Sequence, residues 1–132
     1  MWSRFWETSQ LYASSLGGKH TVERLGRLSQ PVETNLYRIV QEALNNVLKH
    51  ADAKNVDVLL QRDADNVTLI IEDDGRGFEN EIRSDRRGLG LIGMRERAAI
   101  LSGTFEVDST NGQGTTVLVR IPAVIAFEMA QI

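Results

Sequence analysis

The chain of 132 residues has the length of one domain, and its 42% hydrophobic and 25% charged residues are ordinary for a globular protein. Its formal net charge of −3 arises from acids and bases mixed along the chain, so the sequence predicts binding neither to nucleic acid nor directly to a membrane. The lack of cysteine excludes disulfides and thiolate metal sites, and it favours a cytoplasmic location. Neither a transmembrane run nor a secretory signal is present, so we expect any membrane anchor to lie elsewhere in a longer protein.

The first part of the chain predicts a short helix, an edge strand and a long central helix. Apolar and aromatic residues at helical spacing predict a helix over residues 3–15, and residues 19–28 predict an edge strand with a bend at Gly26. The central helix is predicted from Pro31, which suits a first helical turn, to about Asp52. Its core-facing stripe consists of Leu36, Ile39, Val40, Ala43, Leu44, Val47 and Leu48.

The rest of the chain predicts two hairpins separated by a loop and a second helix. The predicted elements are strands Val56–Arg62 and 67–73, a charged, glycine-rich functional loop over 74–93, a helix over 91–101, and strands 104–110 and 115–121. Strands and helices do not alternate in this order. The sequence therefore predicts a single α+β domain over residues 1–132, a two-layer α/β sandwich with helices on one face of a mixed, mostly antiparallel sheet.

A polar stripe runs beside the apolar face of the central helix. It consists of Glu42, Asn46, Lys49 and His50, at spacings that place them on one flank. Such a stripe is either a solvated helix edge or one wall of a polar pocket, because buried polar groups require partners. The helix by itself does not decide between these two interpretations.

Three glycine-containing segments are candidates for ligand contacts. Asp73, Gly75 and Gly77 form either an acidic turn or a strand end whose carboxylate accepts an exocyclic amino group such as that of adenine. The stretch 88–93 matches GxGxxG without the preceding strand of a dinucleotide site, and it is either a phosphate-binding helix start or a hinge. The segment 111–115 is primarily a hairpin turn, although the hydroxyl of Thr115 can also help to hold a base.

Several other chemistries lack the residues that they require. Two histidines without cysteine do not make a His/Cys zinc site. The sequence contains neither a GxSxG nucleophile elbow nor a Walker GxxxxGK[ST] motif.

Taken in order, QEALNNVLKHA, DDGRGF, RRGLGLIGMRERA and NGQGTTV closely resemble the motifs of the ATP-binding catalytic domain of sensor histidine kinases. That domain has the Bergerat fold of the GHKL superfamily, which it shares with DNA gyrase, the heat-shock chaperone and the mismatch-repair ATPases. The residues of the first and third motifs are most similar to those of the subfamily that signals to NarL-type response regulators. The resemblance covers residues 31–122 well and extends more loosely back to Phe5.

The resemblance implies a role for each motif residue. Asn46 matches the ligand of Mg²⁺, and Glu42 matches the general base of the ATPases, which in the kinases more plausibly orients Mg²⁺ or water. Asp73 would accept the adenine amino group and Thr115 would support the base. The other implied nucleotide contacts are Lys49 and His50 towards the phosphates, Gly75 and Gly77 beside the base, Gly88 and Gly90 in a phosphate-side loop, and Leu91. Residues 79–87 would form a short ATP lid, in which Arg86 and Arg87 can bring positive charge to the γ-phosphate.

The resemblance also implies a function and its partners. A module of this kind binds Mg-ATP and donates the γ-phosphate to a histidine on a separate dimerisation domain of its parent kinase. We expect little activity without that domain, because neither His20 nor His50 lies in a segment like a phosphoacceptor helix. Two alternatives remain open: a stand-alone serine kinase of the anti-sigma-factor type, and a nucleotide-binding scaffold without catalysis.

Overall fold

The computed structural model describes residues 17–23, 28–77, 86–110 and 112–128. The helix predicted over 3–15, the bend at Gly26 and residues 79–85 of the predicted lid lie outside this part of the chain.

In the part of the chain that the structure describes, five strands form one mixed sheet. They are β1 (His20–Glu23), β2 (Val56–Arg62), β3 (Asn66–Asp73), β4 (Thr104–Ser109) and β5 (Thr115–Pro122). The strand order is β1-β2-β3-β5-β4, in which β1 is parallel to β2 and every other pair is antiparallel. The described helices are α1 (Gln30–Asn46), α2 (Arg86–Ile100) and α3 (Ala123–Glu128), with a π-helical turn (Val47–Ala51) after α1. The predicted α+β fold with a mostly antiparallel sheet is confirmed.

The core forms because alternate residues of the central strands line up across the sheet. Val58 of β2 pairs with Ile71 of β3, which in turn pairs with Val117 of β5. All three side chains are buried, as are the residues of the next rung, Leu60, Leu69 and Val119. Period-two alternation sends each of these side chains to the same face, where the apolar stripe of α1 covers them.

The turn between β2 and β3 is closed by the carboxylate of Asp63. Its Oδ1 accepts the backbone N–H of Asn66 at 2.7 Å and that of Asp65 at 2.8 Å. These two hydrogen bonds hold the pKa of Asp63 below its usual value. The turn therefore fixes the register that brings Asp73 to the other end of the hairpin.

The central helix ends near Asp52, as predicted, but only its part up to Asn46 is α-helical. The wider π turn Val47–Ala51 follows, and its C-cap, Asp52, has a φ of +51°. Because this turn shifts the helical register, Leu48 is 42% exposed instead of facing the core. The second helix begins at Arg86, five residues before the predicted start, so the glycines of the GxGxxG stretch lie within it.

Helix α3 was not predicted; it packs on β3 and β5, and one backbone hydrogen bond joins it to the residue before α1. The backbone N–H of Ser29 donates to the carbonyl of Ala126 at 2.9 Å, and Ala126 is fully buried. No helix in the described residues combines the length and the apolar character that crossing a bilayer requires.

Candidate functional site

An apolar recess opens between the helices and one end of the sheet. Five predicted site residues line it: Asn46, Asp73, Gly77, Leu91 and Thr115. The rest of its wall is apolar and consists of Ala43, Val47, Ile71, Met94 and Val117. A flat, mostly apolar group with few polar atoms suits such a lining, because the polar residues set its orientation while the walls exclude water.

Asp73 supplies a buried carboxylate to this recess. It is the last residue of β3, it is 8% exposed, and its neighbour across the sheet is Thr115. Its Oδ1 accepts the backbone N–H of Gly75 at 2.8 Å, so the turn that follows fixes the carboxylate. A fixed carboxylate in an apolar wall is a strong acceptor for an amino group.

The adjacent carboxylate, Asp74, points away from the recess and has a structural role. Its Oδ1 accepts the backbone N–H groups of Lys54 and Asn55, and its Oδ2 accepts the side-chain amide of Asn55, each at 2.9 Å. The hydrogen bonds from Asn55 and from the Lys54 backbone hold the pKa of Asp74 below its usual value. The two neighbouring aspartates therefore have different roles: Asp73 supplies a carboxylate to the recess, whereas Asp74 holds the loop before β2.

Gly77 packs the loop after β3 against the β4–β5 hairpin. Its φ is +65°, and a Cβ placed there would lie 2.8 Å from the carbonyl oxygen of Gly114 and also against that of Thr110. Next to it, the backbone N–H of Gly112 donates to the carbonyl of Arg76. Only glycine fits this position, because the backbone is left-handed and there is no space for a side chain.

The hydroxyl of Thr115 is held by Ser109, a residue that the sequence analysis did not identify. The two hydroxyl oxygens lie 2.7 Å apart, and the Ser109 hydroxyl also donates to the carbonyl of Gly114 at 3.2 Å. Ser109 is 4% exposed at the end of β4. The predicted hairpin could have identified Ser109, because its register pairs Ser109 with Thr115, a candidate ligand contact.

A polar hollow adjoins the recess and shares Asn46 and Met94 with it. Its remaining lining consists of Arg38, Gln41, Glu42, Asn45, Lys49, Gly90, Gly93 and Arg97. The predicted stripe of Glu42, Asn46 and Lys49 thus forms one wall of a pocket. The side chain of His50, the fourth member, lies outside the described part of the structure.

Gly88 and Gly90 lie in the first turns of α2 and not in a phosphate-side loop, which corrects the predicted placement. The sequence pattern did not predict this part of the helix, because the charged and small residues at its start carry no apolar periodicity. Gly90 faces Glu42 of α1, and a Cβ there would collide with the Glu42 carboxylate. Gly90 therefore makes room for Glu42 at the edge of the polar hollow.

The donor groups of the hollow fit a magnesium ion that shares its ligands with a substrate. Within the described residues, no three His, Cys, Asp or Glu side chains come together as a metal cage. Asn46 and Glu42 nevertheless offer hard oxygen atoms to the hollow. Mg²⁺ typically takes one or two such side chains and completes its shell with water and substrate phosphates.

Two curated proteins with similar sequences are histidine kinases. Over 103 residues the chain is 41% identical to the oxygen sensor histidine kinase NreB of Staphylococcus carnosus, which covers 78% of this chain and 30% of NreB. It is 37% identical over 98 residues to the signal transduction histidine-protein kinase/phosphatase DegS of Bacillus subtilis, covering 73% of this chain and 26% of DegS. The chain thus spans less than a third of either curated relative.

A solved structure with the same fold is the histidine kinase domain of the blue-light activated histidine kinase EL346 of Erythrobacter litoralis. It superposes with a TM-score of 0.68 at 20% identity, covering 89% of this chain and 57% of that one. The family model of histidine kinase-, DNA gyrase B- and HSP90-like ATPases matches residues 32–125, which include both the recess and the hollow. The chain therefore belongs to the family of histidine kinase-, DNA gyrase B- and HSP90-like ATPases.

Proposed function

We propose that this chain is the Mg-ATP-binding catalytic module of a two-component sensor histidine kinase, which donates the γ-phosphate of ATP to a histidine on a separate dimerisation domain. The observation that carries the proposal is the joining of two unlike pockets at Asn46. An apolar recess with one fixed carboxylate continues there into a hollow lined with cationic side chains and side-chain oxygen atoms. This division matches the two halves of a nucleotide.

The recess would hold adenine. Asp73 would accept its amino group, while the hydroxyl of Thr115, held by Ser109, supports the ring edge. Leu91 and Gly77 would contact the faces of the base, because both line the recess. Discrimination against other bases follows, since a base with a carbonyl in place of the amino group would bring an acceptor against the carboxylate.

The polar hollow would hold the phosphates. Asn46, helped by Glu42, would hold Mg²⁺, which neutralises phosphate charge when it is bound. Lys49 lines the hollow and would contact phosphate oxygens, and His50, from the same turn, is proposed to do so too. The lid over residues 79–87 and the roles of Arg86 and Arg87 remain predictions.

The phosphoryl acceptor would come from outside this chain. Both ring nitrogens of His20 are buried, which makes this side chain a poor acceptor, and burial also lowers the pKa of His20. The named relatives are histidine kinases, of which the chain spans only part. We therefore assign the acceptor to the dimerisation domain of a parent kinase, with a NarL-type response regulator downstream and a cytoplasmic location for this module.

The first test is calorimetry of the chain with Mg-ATP, followed by transfer of labelled γ-phosphate to an added dimerisation domain. We expect binding, and a transferred label that is lost in acid but stable in alkali, as for phosphohistidine. An acid-stable label on a serine-containing acceptor would favour the serine kinase instead. Binding of Mg-ATP without transfer of the label to either acceptor would favour the inert nucleotide-binding scaffold, and no heat of binding would refute the proposed function.

The second test uses Asn46→Ala and Asn46→Asp, with Thr34→Ala as the control. Thr34 is an exposed residue of the same helix and lies outside both pockets. We expect both Asn46 variants to abolish transfer, while Thr34→Ala transfers normally. Normal turnover in either Asn46 variant would remove Asn46 from the metal role.

A further inference from the structure

Arg97 lies on α2 with its side chain in the polar hollow, and its orientation is set by α1. It is half-buried, and its Nη1 donates to Oδ1 of Asn35 at 3.4 Å. Arg97 belongs to the third motif, RRGLGLIGMRERA, but the resemblance gave it no role. Asn35 is a neutral amide, so this contact leaves the charge of Arg97 uncompensated. Among the described residues it is the one hydrogen bond of the guanidinium, whose N–H groups form a planar fork.

The orientation of Asn35 is itself fixed. Its amide nitrogen donates to the carbonyl of Pro31, one turn earlier in α1, at 2.8 Å. The amide oxygen must therefore face the other way, towards Arg97. Pro31 and Asn35 together form a small support that holds the guanidinium at the rim of the hollow.

The contacts between α1 and α2 show that the two helices run antiparallel. Glu42 faces Gly90, and seven residues earlier in α1, Asn35 meets Arg97, seven residues later in α2. At about 1.5 Å per residue, Arg97 is displaced from the Gly90 level by roughly 10 Å along the groove. The Arg97 end of the hollow is therefore the end remote from Asn46 and the recess.

The charge of the hollow calls for an anion with several oxygens. Arg38, Lys49 and Arg97 line it together with one carboxylate, Glu42, so the formal charge of these groups is +2 in a chain whose net charge is −3. The space beside Gly93 is open, because a Cβ built there would have no described atom within 4 Å. Arginine is the residue best matched to phosphate oxygens.

We propose that Arg97 is a phosphate-binding residue, which contacts the terminal phosphate of the bound nucleotide in an orientation that Asn35 sets. The proposal rests on the proposed function, since it assumes that the base occupies the recess. Placed at the far end of the hollow, Arg97 distinguishes nucleotides by the number of their phosphates.

The test compares ATP, ADP and AMP binding, each with Mg²⁺, in calorimetry of the wild-type chain, Arg97→Gln and Arg95→Gln. Arg95 is the matched control: it lies two residues away on the same helix, outside the hollow, with its guanidinium 5.9 Å from the centre of the Phe105 ring. Both variants remove one positive charge from α2. A charge-assisted hydrogen bond at a half-buried site predicts a loss of about tenfold in ATP affinity for Arg97→Gln.

We expect AMP affinity to be unchanged and ADP affinity to change by less than about twofold in Arg97→Gln, whereas Arg95→Gln binds all three nucleotides normally. Asn35→Ala should lower ATP affinity by a smaller factor, and Arg97→Lys should restore part of the loss. Equal losses for all three nucleotides, or no loss for ATP, would overturn the proposal. If the wild-type chain bound no adenine nucleotide, the proposed function itself would fail, which is a different result.

Discussion

Replacing Asp73 by asparagine changes one oxygen of the recess into an amino group without changing the size of the side chain. In the native chain, Oδ1 of Asp73 accepts the N–H of Gly75 at 2.8 Å. In Asp73→Asn the amide has one oxygen, and keeping the hydrogen bond from Gly75 occupies that oxygen. The amide NH₂ is then the other terminal group, so a donor faces the amino group of adenine where an acceptor stood.

The size of the effect follows from these two changes. A hydrogen bond to a charged acceptor contributes roughly 1.5–3 kcal/mol, and facing donors leave at least one of them without a partner. Screening by solvent is weak because Asp73 is 8% exposed. We therefore expect ATP affinity to fall by 2–3 kcal/mol, which corresponds to roughly 30- to 150-fold.

Calorimetry with Mg-ATP and Mg-ITP measures this effect and its direction. Hypoxanthine carries a carbonyl where adenine carries its amino group, so the new NH₂ of Asp73→Asn can donate to it. The preference for ATP over ITP should shrink or reverse in Asp73→Asn. Asp74→Asn is the control, because it makes the same chemical change one residue away, outside the recess, and should leave the ATP/ITP ratio unchanged. An unchanged ratio and an ATP affinity within about twofold in Asp73→Asn would refute the proposed base contact.

Three further predictions concern the support of the site. Gly77→Ala should lower the free energy of unfolding by roughly 2–4 kcal/mol in urea titration, because it adds a collision to a left-handed backbone, whereas Gly112→Ala, with φ +86° and open space, should cost only about 1–2 kcal/mol. Equal losses would contradict the packing. Ser109→Ala removes the 2.7 Å partner of the Thr115 hydroxyl and should weaken ATP binding by about fivefold in calorimetry. Unchanged affinity would show that Thr115 does not need Ser109 to support the base. The lowered pKa of Asp74 means that its stabilisation is present above its ordinary pKa of 3.8 and is lost as the pH falls through the lower folded value. Asp74→Asn should therefore unfold more easily at neutral pH and show a shallower loss of stability below about pH 4, as followed by urea midpoints.

Most of the fold could be predicted from hydrophobic periodicity, because its core depends on that same periodicity. Val58 and Ile71 lie on the period-two face of their strands, and the structure pairs them in register. The predictions were wrong where features other than hydrophobic periodicity determine the local structure. Leu48 follows the helical pattern, but the π turn rotates it into solvent. The first turns of α2 contain arginines and glycines, and no apolar pattern marks them.

The strand pattern also contained a signal that distinguishes the two aspartates after β3. Leu69 and Ile71 face the core, so the same alternation turns Asp73 inward and leaves Asp74 outward. The hydrogen bond that Asp74 accepts from Asn55 depends on a loop from another part of the chain, and strand alternation alone does not reveal that partner.

Arg97 is another residue that helical periodicity indicates. Gly90, Gly93 and Arg97 are spaced by three and four residues, so they share one face of α2. Arg38 lies four residues before Glu42 and extends the polar stripe of α1 in the same way. Each stripe can be found within its own helix, but only the antiparallel packing of α1 on α2 shows that the stripes face each other across one hollow. Function at this site depends on that pairing, which no single segment of the sequence encodes.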